Sequence, residues 1–543
     1  MKPIVFVCLI LSVFPSQATD TYPKNPAIDM LHYAFTITLS DAVDEIEGVA
    51  RMQIKFKKEG ITTVRLDLIN KSKALDQKGM VVTSVDDKGK TLNFKHERDV
   101  LLIALETPSV AGEVRVLAVT YRGIPATGLI IGPNKYGDRT FFSDNWPAKA
   151  RNWLPLVDHP YDKATCEFIV TAPLKYAVVS NGLLLEESNL ADGMKLTHWK
   201  ESVPIAPWLY VLGVAEFATQ QVGTFDGKSL QTWVFWQDRE AGFYDFAIPT
   251  KDVLAFYTDY VGPFAYEKLA NIQSNSVSGG MEAATAILYS AGSVTGQRTA
   301  RWQKVIIHEI AHQWFGNAVT EYDWDDVWLS EGFATYFTML YMEHAMGRDA
   351  FVKELNRSRD KIMEFNKANP DYTIVHNNLD DMDKVTTGQI YEKGAWTLHM
   401  LRNLIGDEAF ENGIRSYYAR YFNGNAFTAD FIAEMELASG KELGPFFNQW
   451  LHQGGAIELE GSWQYDAKAK KVTVDLKQIQ KKYTFTAMME IGIYEKENLL
   501  PRVEQVELKS GTNQYSFTVA SEPARVVLDP NTTLLATWKF TGK

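Results

Sequence analysis

Apolar and polar residues alternate along the first part of the chain. Met52, Ile54 and Phe56 interleave with Gln53 and Lys55, and Val64, Leu66 and Leu68, then Val114 and Val116, repeat the pattern. A period of two sends successive side chains to opposite faces of a strand. The stretch from about Tyr33 to Trp236, with turn residues between its runs, therefore predicts a β-rich unit. After Gln237 the apolar spacing changes to three and four residues. Lys251 to Tyr260, Lys304 to Phe315, Gly332 to Met346 and Gly394 to Leu404 all carry it, and each predicts a helix. The last helical run ends near Trp450, and Gly454-Gly455 breaks the chain. Strands then return: Val472, Val474 and Leu476 alternate with polar residues, as do Tyr515, Phe517 and Val519. There is no internal repeat and no low-complexity linker.

The pattern predicts a multidomain α+β chain. Residues 19–236 form an N-terminal antiparallel β domain, 237–453 a mainly helical domain and 454–543 a C-terminal β-sandwich. Several domains suit 543 residues, because one hydrophobic core rarely serves more than about 250–300. Composition is globular, with 46% hydrophobic and 22% charged residues. The net charge of −12 makes nucleic acid a poor partner, since phosphates are repelled.

Residues 1–18 read as a secretory leader. Lys2 supplies the positive end, Ile4 to Phe14 is apolar except for Ser12, and Ser16-Gln17-Ala18 is a small-x-small cleavage site. The apolar run is shorter than the about 20 residues that span a bilayer. The expectation is a periplasmic or secreted protein, cleaved near Ala18, with no membrane span in its mature form. Two cysteines exist, Cys8 and Cys166. Cys8 leaves with the leader, so no intrachain disulfide and no cysteine metal ligand is expected. Cys166, within a strand-like run, reads as a buried inert thiol.

His308-Glu309-Ile310-Ala311-His312 is an H-E-x-x-H pattern. Two histidines four apart on a helix differ by about 40° around the axis and about 6 Å along it, so both imidazoles can reach one metal ion. Apolar neighbours such as Ile306, Ile307, Ile310, Trp314 and Phe315 predict a dry helix. Catalytic zinc takes three protein ligands and keeps one position open. Glu331, separated from His312 by eighteen intervening residues, is the candidate third ligand. Glu309, beside His308, is then free to act as general base.

The segments HEIAHQWFGN (308–317) and WDDVWLSEGFATY (324–336) resemble the M1 family of zinc aminopeptidases, gluzincins of the aminopeptidase N kind. Gly279-Gly280-Met281-Glu282 resembles that family's G-x-M-E-N motif. Tyr391-Glu392-Lys393-Gly394 resembles its Y-x-K-G motif, and Phe446 to Leu451 is also family-like. The resemblance implies a thermolysin-like catalytic domain, one Zn²⁺ per chain, and peptide substrates with a free amino terminus. It implies Tyr391 as a donor to the developing oxyanion, and Glu282, with Gly279, Gly280 and Met281, as the substrate-binding segment.

The chain departs from the family in three ways. Ala283 stands where the motif has Asn. A second amine anchor, Glu or Gln five residues before an arginine, would fall at Trp146 before Arg151, with Asp144 or Asn145 as substitutes. The family's large C-terminal helical-repeat domain has no counterpart in this sequence, which implies a more open cleft or one closed by a partner subunit. The expected function is an exported zinc aminopeptidase. A zinc endopeptidase or carboxypeptidase-like gluzincin, a non-catalytic binding module on the same fold and an epoxide hydrolase side activity are the alternatives.

Overall fold

The computed structural model describes residues 20–247, 249–495 and 500–543. The expected leader, residues 1–18, lies outside the described residues.

The N-terminal unit is built on an eight-stranded sheet. Its central strand, Ile28–Thr38, pairs antiparallel with Ile46–Phe56 on one side and parallel with Ala164–Pro173 on the other. The sheet is therefore mixed at that one ladder rather than wholly antiparallel. Met52, Ile54 and Phe56 are buried, and Gln53 and Lys55 face solvent, as the alternation predicts. The strand Val114–Ile124 inverts the expected facing. Val114 and Val116 are exposed, while Arg115 is buried. Arg115 tolerates burial because its guanidinium is satisfied: Nε donates to Glu113 at 2.6 Å, and Nη1 and Nη2 donate to the carbonyls of Thr107 and Pro108. The core face continues through Leu117, Val119 and Tyr121.

The central unit couples helices to a five-stranded sheet. In spatial order the strands are Phe217–Phe225, Lys228–Phe235, Lys268–Ser274, Ala286–Ser290 and Gly280–Met281. Two of its ladders are parallel, Lys228–Phe235 with Lys268–Ser274 and the latter with Ala286–Ser290. The sheet straddles the division at 236/237, where the hydrophobic period changes. All four expected helices are present, as Thr250–Tyr260, Ala300–His312, Trp328–Met346 and Gly388–Ile405. Arg348–Ala368, Asp407–Tyr421, Thr428–Ser439 and Gly444–Leu451 join them.

Three of these helices carry the candidate site and are called here the histidine helix (Ala300–His312), the glutamate helix (Trp328–Met346) and the tyrosine helix (Gly388–Ile405). The tyrosine helix is capped by Thr387, whose side chain accepts from the Gln389 N–H. Gly347 and Gly406, both at positive φ, end the glutamate and tyrosine helices.

The C-terminal unit holds a four-stranded sheet, ordered Thr512–Thr518, Lys471–Gln478, Ile457–Asp466, Ala536–Gly542, and a three-stranded one, ordered Arg502–Leu508, Ala487–Glu495, Pro523–Leu528. Val472, Val474 and Leu476 from the first and Met489, Ile491 and Ile493 from the second are buried together in the core. Among the described residues no helix is long and apolar enough to cross a membrane. The one described cysteine, Cys166, is free and buried, and burial pushes its thiol pKa up.

Candidate metal centre

The histidine helix places His308 and His312 one turn apart, with their Nε2 atoms 3.1 Å from each other. Glu331 enters from the first turn of the glutamate helix. Its Oε2 lies 3.4 Å from His308 Nε2 and 3.3 Å from His312 Nε2. The three donor atoms converge within metal-ligand reach. His312 Nδ1 is engaged by the Phe315 carbonyl and Ser330 Oγ, each at 3.1 Å, which leaves Nε2 for a ligand. Glu331 Oε2 is buried and receives no hydrogen bond. A buried carboxylate oxygen facing two imidazole nitrogens fits a divalent cation.

The tyrosine helix meets the glutamate helix at two glycines. A Cβ on Gly394 would stand 2.9 Å from the Gly332 Cα, and a Cβ on Gly332 would stand 3.0 Å from the Gly394 Cα. Only residues without side chains permit this approach. It brings Tyr391, one turn before Gly394, onto Glu331, one residue before Gly332. The Tyr391 hydroxyl donates to Glu331 Oε1 at 2.8 Å, and its ring lies 6.1 Å from the His308 ring.

Glu309 is buried on the same helix as the histidines. The Gly280 backbone packs against its carboxylate so closely that a Cβ there would fall 2.2 Å from Glu309 Oε1. A side chain at 280 would therefore have to displace the Glu309 carboxylate, whereas the backbone conformation there makes no demand for glycine. The strand Gly280–Met281 pairs with Tyr289 and Leu288, and Gly279 accepts from the Ser290 N–H at 2.8 Å. The segment then delivers Glu282. Glu282 is buried, its Oε1 has no hydrogen-bond partner, and its carboxylate converges with Glu309 and His312.

The electrostatics follow from crowding. Burial pushes the Glu282 carboxyl up to about 7 against the pull of His312. Glu309 is driven well above the carboxylate range, first by burial and then by Glu282 and Glu331. Burial also works against ionised Glu331, but the attraction of His312 and of the neighbouring His308 outweighs it and holds Glu331 down at about 2. Three buried carboxylates around two imidazoles favour a bound cation.

Two polar residues that sequence reasoning passed over hold the Glu282 backbone. Gln313 Nε2 and Asn317 Nδ2 both donate to the Glu282 carbonyl, at 3.0 and 2.7 Å. They follow directly on the H-E-x-x-H run. Polar residues within an otherwise apolar flank were the available signal.

The three positions considered for a second amine anchor present no free anionic group. Asn145 is engaged at both ends, donating to the Tyr210 carbonyl at 2.7 Å and accepting from Trp153 Nε1 at 2.9 Å. Asp144 pairs with Lys149 at 3.2 Å. Trp146 packs edge-on against Trp208 and Trp324, at 5.7 and 5.2 Å between ring centroids.

A helix-borne H-E-x-x-H pair, a carboxylate from the neighbouring helix and a mixed sheet beneath them define a candidate centre of the metallopeptidase kind. Comparison with known proteins agrees. The peptidase M1 N-terminal domain matches residues 29–209, and the peptidase family M1 domain matches residues 246–450. The chain belongs to peptidase family M1. Glutamyl aminopeptidase of Homo sapiens is 30% identical over 346 residues, covering 61% of this chain and 36% of that protein. The enzyme of the same name from Rattus norvegicus is 29% identical over 351 residues, covering 62% and 37%. Aminopeptidase M1 of Arabidopsis thaliana is 27% identical over 320 residues, covering 57% and 36%. The matched region spans little more than a third of these curated relatives. The crystal structure of Legionella pneumophila aminopeptidase A in complex with aspartic acid shares the fold, with a TM-score of 0.79 at 18% identity over 96% of this chain and 61% of that one.

Proposed function

We propose that the chain is an exported zinc aminopeptidase that removes amino-terminal residues from peptides. The observation that carries this reading is Glu282, a buried carboxylate with a free oxygen, set beside a His308–His312–Glu331 cluster. Export rests on residues 1–18, read from the sequence alone.

His308, His312 and Glu331 would hold one zinc ion per chain, through the two Nε2 atoms and a Glu331 oxygen. When bound there, zinc supplies Lewis acidity to the hydrolysis. Glu309 accepts the proton of the attacking water, since it lies on the ligand helix and is not itself needed as a ligand. Tyr391 stays protonated, because burial and then Glu331 raise its pKa well above that of a free phenol. It therefore has a hydrogen to donate to the oxyanion that forms at the scissile carbonyl. Glu282 pairs with the substrate's terminal ammonium, and Gly279 to Met281 line the approach of the peptide backbone.

Amino-acid chromogenic amides, free and acetyl-blocked, test this directly. Hydrolysis of the free-amine series and rejection of the blocked series is the expected result. Equal cleavage of both, or cleavage within blocked peptides, would replace the exopeptidase reading with an endopeptidase one.

A further inference from the structure

Immediately after the Glu282 segment the backbone at Thr285 takes a positive φ of 66°. A β-branched residue rarely adopts that region, because its side chain crowds the backbone there. Thr285 is nevertheless fully buried. Every polar atom it has is used. Its N–H donates to Gln313 Oε1 at 3.1 Å, and its carbonyl accepts from the Ala270 N–H at 2.9 Å. Its hydroxyl oxygen accepts from the Gly182 N–H at 2.8 Å and from Lys268 Nζ at 3.3 Å.

These partners come from three places. Gln313 follows the histidine helix, and through its Nε2 it also holds the Glu282 carbonyl at 3.0 Å. Lys268 lies on the sheet strand Lys268–Ser274 and is itself anchored to the Ser180 carbonyl at 2.6 Å. Gly182 belongs to the N-terminal unit. Its neighbour Asn181 donates to the carbonyls of Ala284 and Leu209, at 2.7 and 2.8 Å. Thr285 is thus the knot at which the N-terminal unit, the sheet and the metal helix meet, three residues from Glu282.

We infer that Thr285 is a positioning residue for amine recognition, its hydroxyl pinning the chain so that Gln313 can fix the direction of Glu282. This rests on the aminopeptidase reading above and extends it. A strained conformation persists only where the surroundings hold it, and here the hydroxyl is what two of those surroundings grip. Glycine would adopt the same φ without strain, yet would leave the buried Gly182 N–H with no acceptor and Lys268 with the Ser180 carbonyl alone.

The test uses the zinc-loaded enzyme with two inhibitors, an amino-acid hydroxamate and the same hydroxamate lacking its amine. The wild type should prefer the amine-bearing compound. Thr285→Ala and Thr285→Gly should each lose about 3–10-fold of that preference, the scale of one hydrogen-bonding link, with zinc content and affinity for the des-amino compound unchanged. Thr285→Ser, which keeps the oxygen, should stay within about twofold of wild type. If Thr285→Ala fails to fold, Thr285→Gly still reads out the hydroxyl, because glycine relieves the backbone. An unchanged preference in the glycine variant, or equal weakening of both inhibitors, overturns the inference. A wild type with no preference would instead overturn the aminopeptidase reading, so the two failures are distinct.

Discussion

Glu331 and Glu282 are both buried carboxylates facing His312, yet the chain delivers them by opposite means. Glu331 rides on a long helix, one residue from a glycine that meets a second glycine on the tyrosine helix. Its position is set by helical spacing and one close helix crossing. Glu282 rides on an irregular segment whose direction is set by hydrogen bonds from Gln313, Asn317 and Asn181, scattered over more than a hundred residues of sequence. Regular geometry suits metal ligands, which must converge within fractions of an ångström. The carboxylate proposed here to pair with a substrate ammonium instead depends on an irregular segment held by its hydrogen bonds.

Five experiments press on that difference, and the largest effect belongs to the helical half. Chelation should abolish hydrolysis and lower the melting temperature, because a metal that binds only the folded state stabilises it. Activity that survives exhaustive metal removal would sink the mechanism. Glu309→Gln should cost at least about 10²-fold in kcat with zinc retained, and Tyr391→Phe about 10²-fold, both read by steady-state kinetics at matched zinc content. Normal kcat in the phenylalanine variant would reduce Tyr391 to packing against Glu331.

On the loop side, Glu282→Ala should lose roughly 10–100-fold in kcat/KM on free-amine substrates while narrowing the gap to blocked ones. A uniform loss on both would place Glu282 outside recognition. The smallest effect tests the crossing itself. Gly394→Ala puts a methyl group against the Gly332 Cα, an overpacking that should cost about 1–3 kcal/mol in denaturant unfolding. Its rate loss should fall on kcat more than on KM, since Tyr391 and Glu331 are displaced and Glu282 is not.

The same contrast decides what could be read in advance. The His308, Glu309 and His312 set is local, and helix periodicity alone puts the two imidazoles together. Glu331 was legible as a carboxylate in a motif, and Tyr391 only through the family resemblance. Nothing local in Tyr391-Glu392-Lys393-Gly394 announces a helix crossing eighty residues' worth of chain away from the histidines. Thr285, Lys268 and Asn181 carried no sequence signal at all, because their pairings join distant segments. Arg115 shows a limit of a different kind. Alternation located its strand, but two valines outweighed one arginine in choosing the inward face, and the guanidinium's carbonyl acceptors lie in the loop at Thr107 and Pro108, which hydropathy does not see. The parallel ladders of the five-stranded sheet were equally hidden, since a strand's pattern does not state its partner.

That sheet has a consequence for anyone who would dissect the protein. A cut after Trp236, where the amino-acid pattern changes character, would carry Phe217–Phe225 and Lys228–Phe235 away with the N-terminal fragment. The strand Lys268–Ser274, all seven residues buried, would be left with a bare edge of unpaired amides. Such an edge recruits whatever strand it meets, including a copy of itself. An expression fragment meant to capture the catalytic unit should therefore begin before Phe217, and one begun at Gln237 should aggregate.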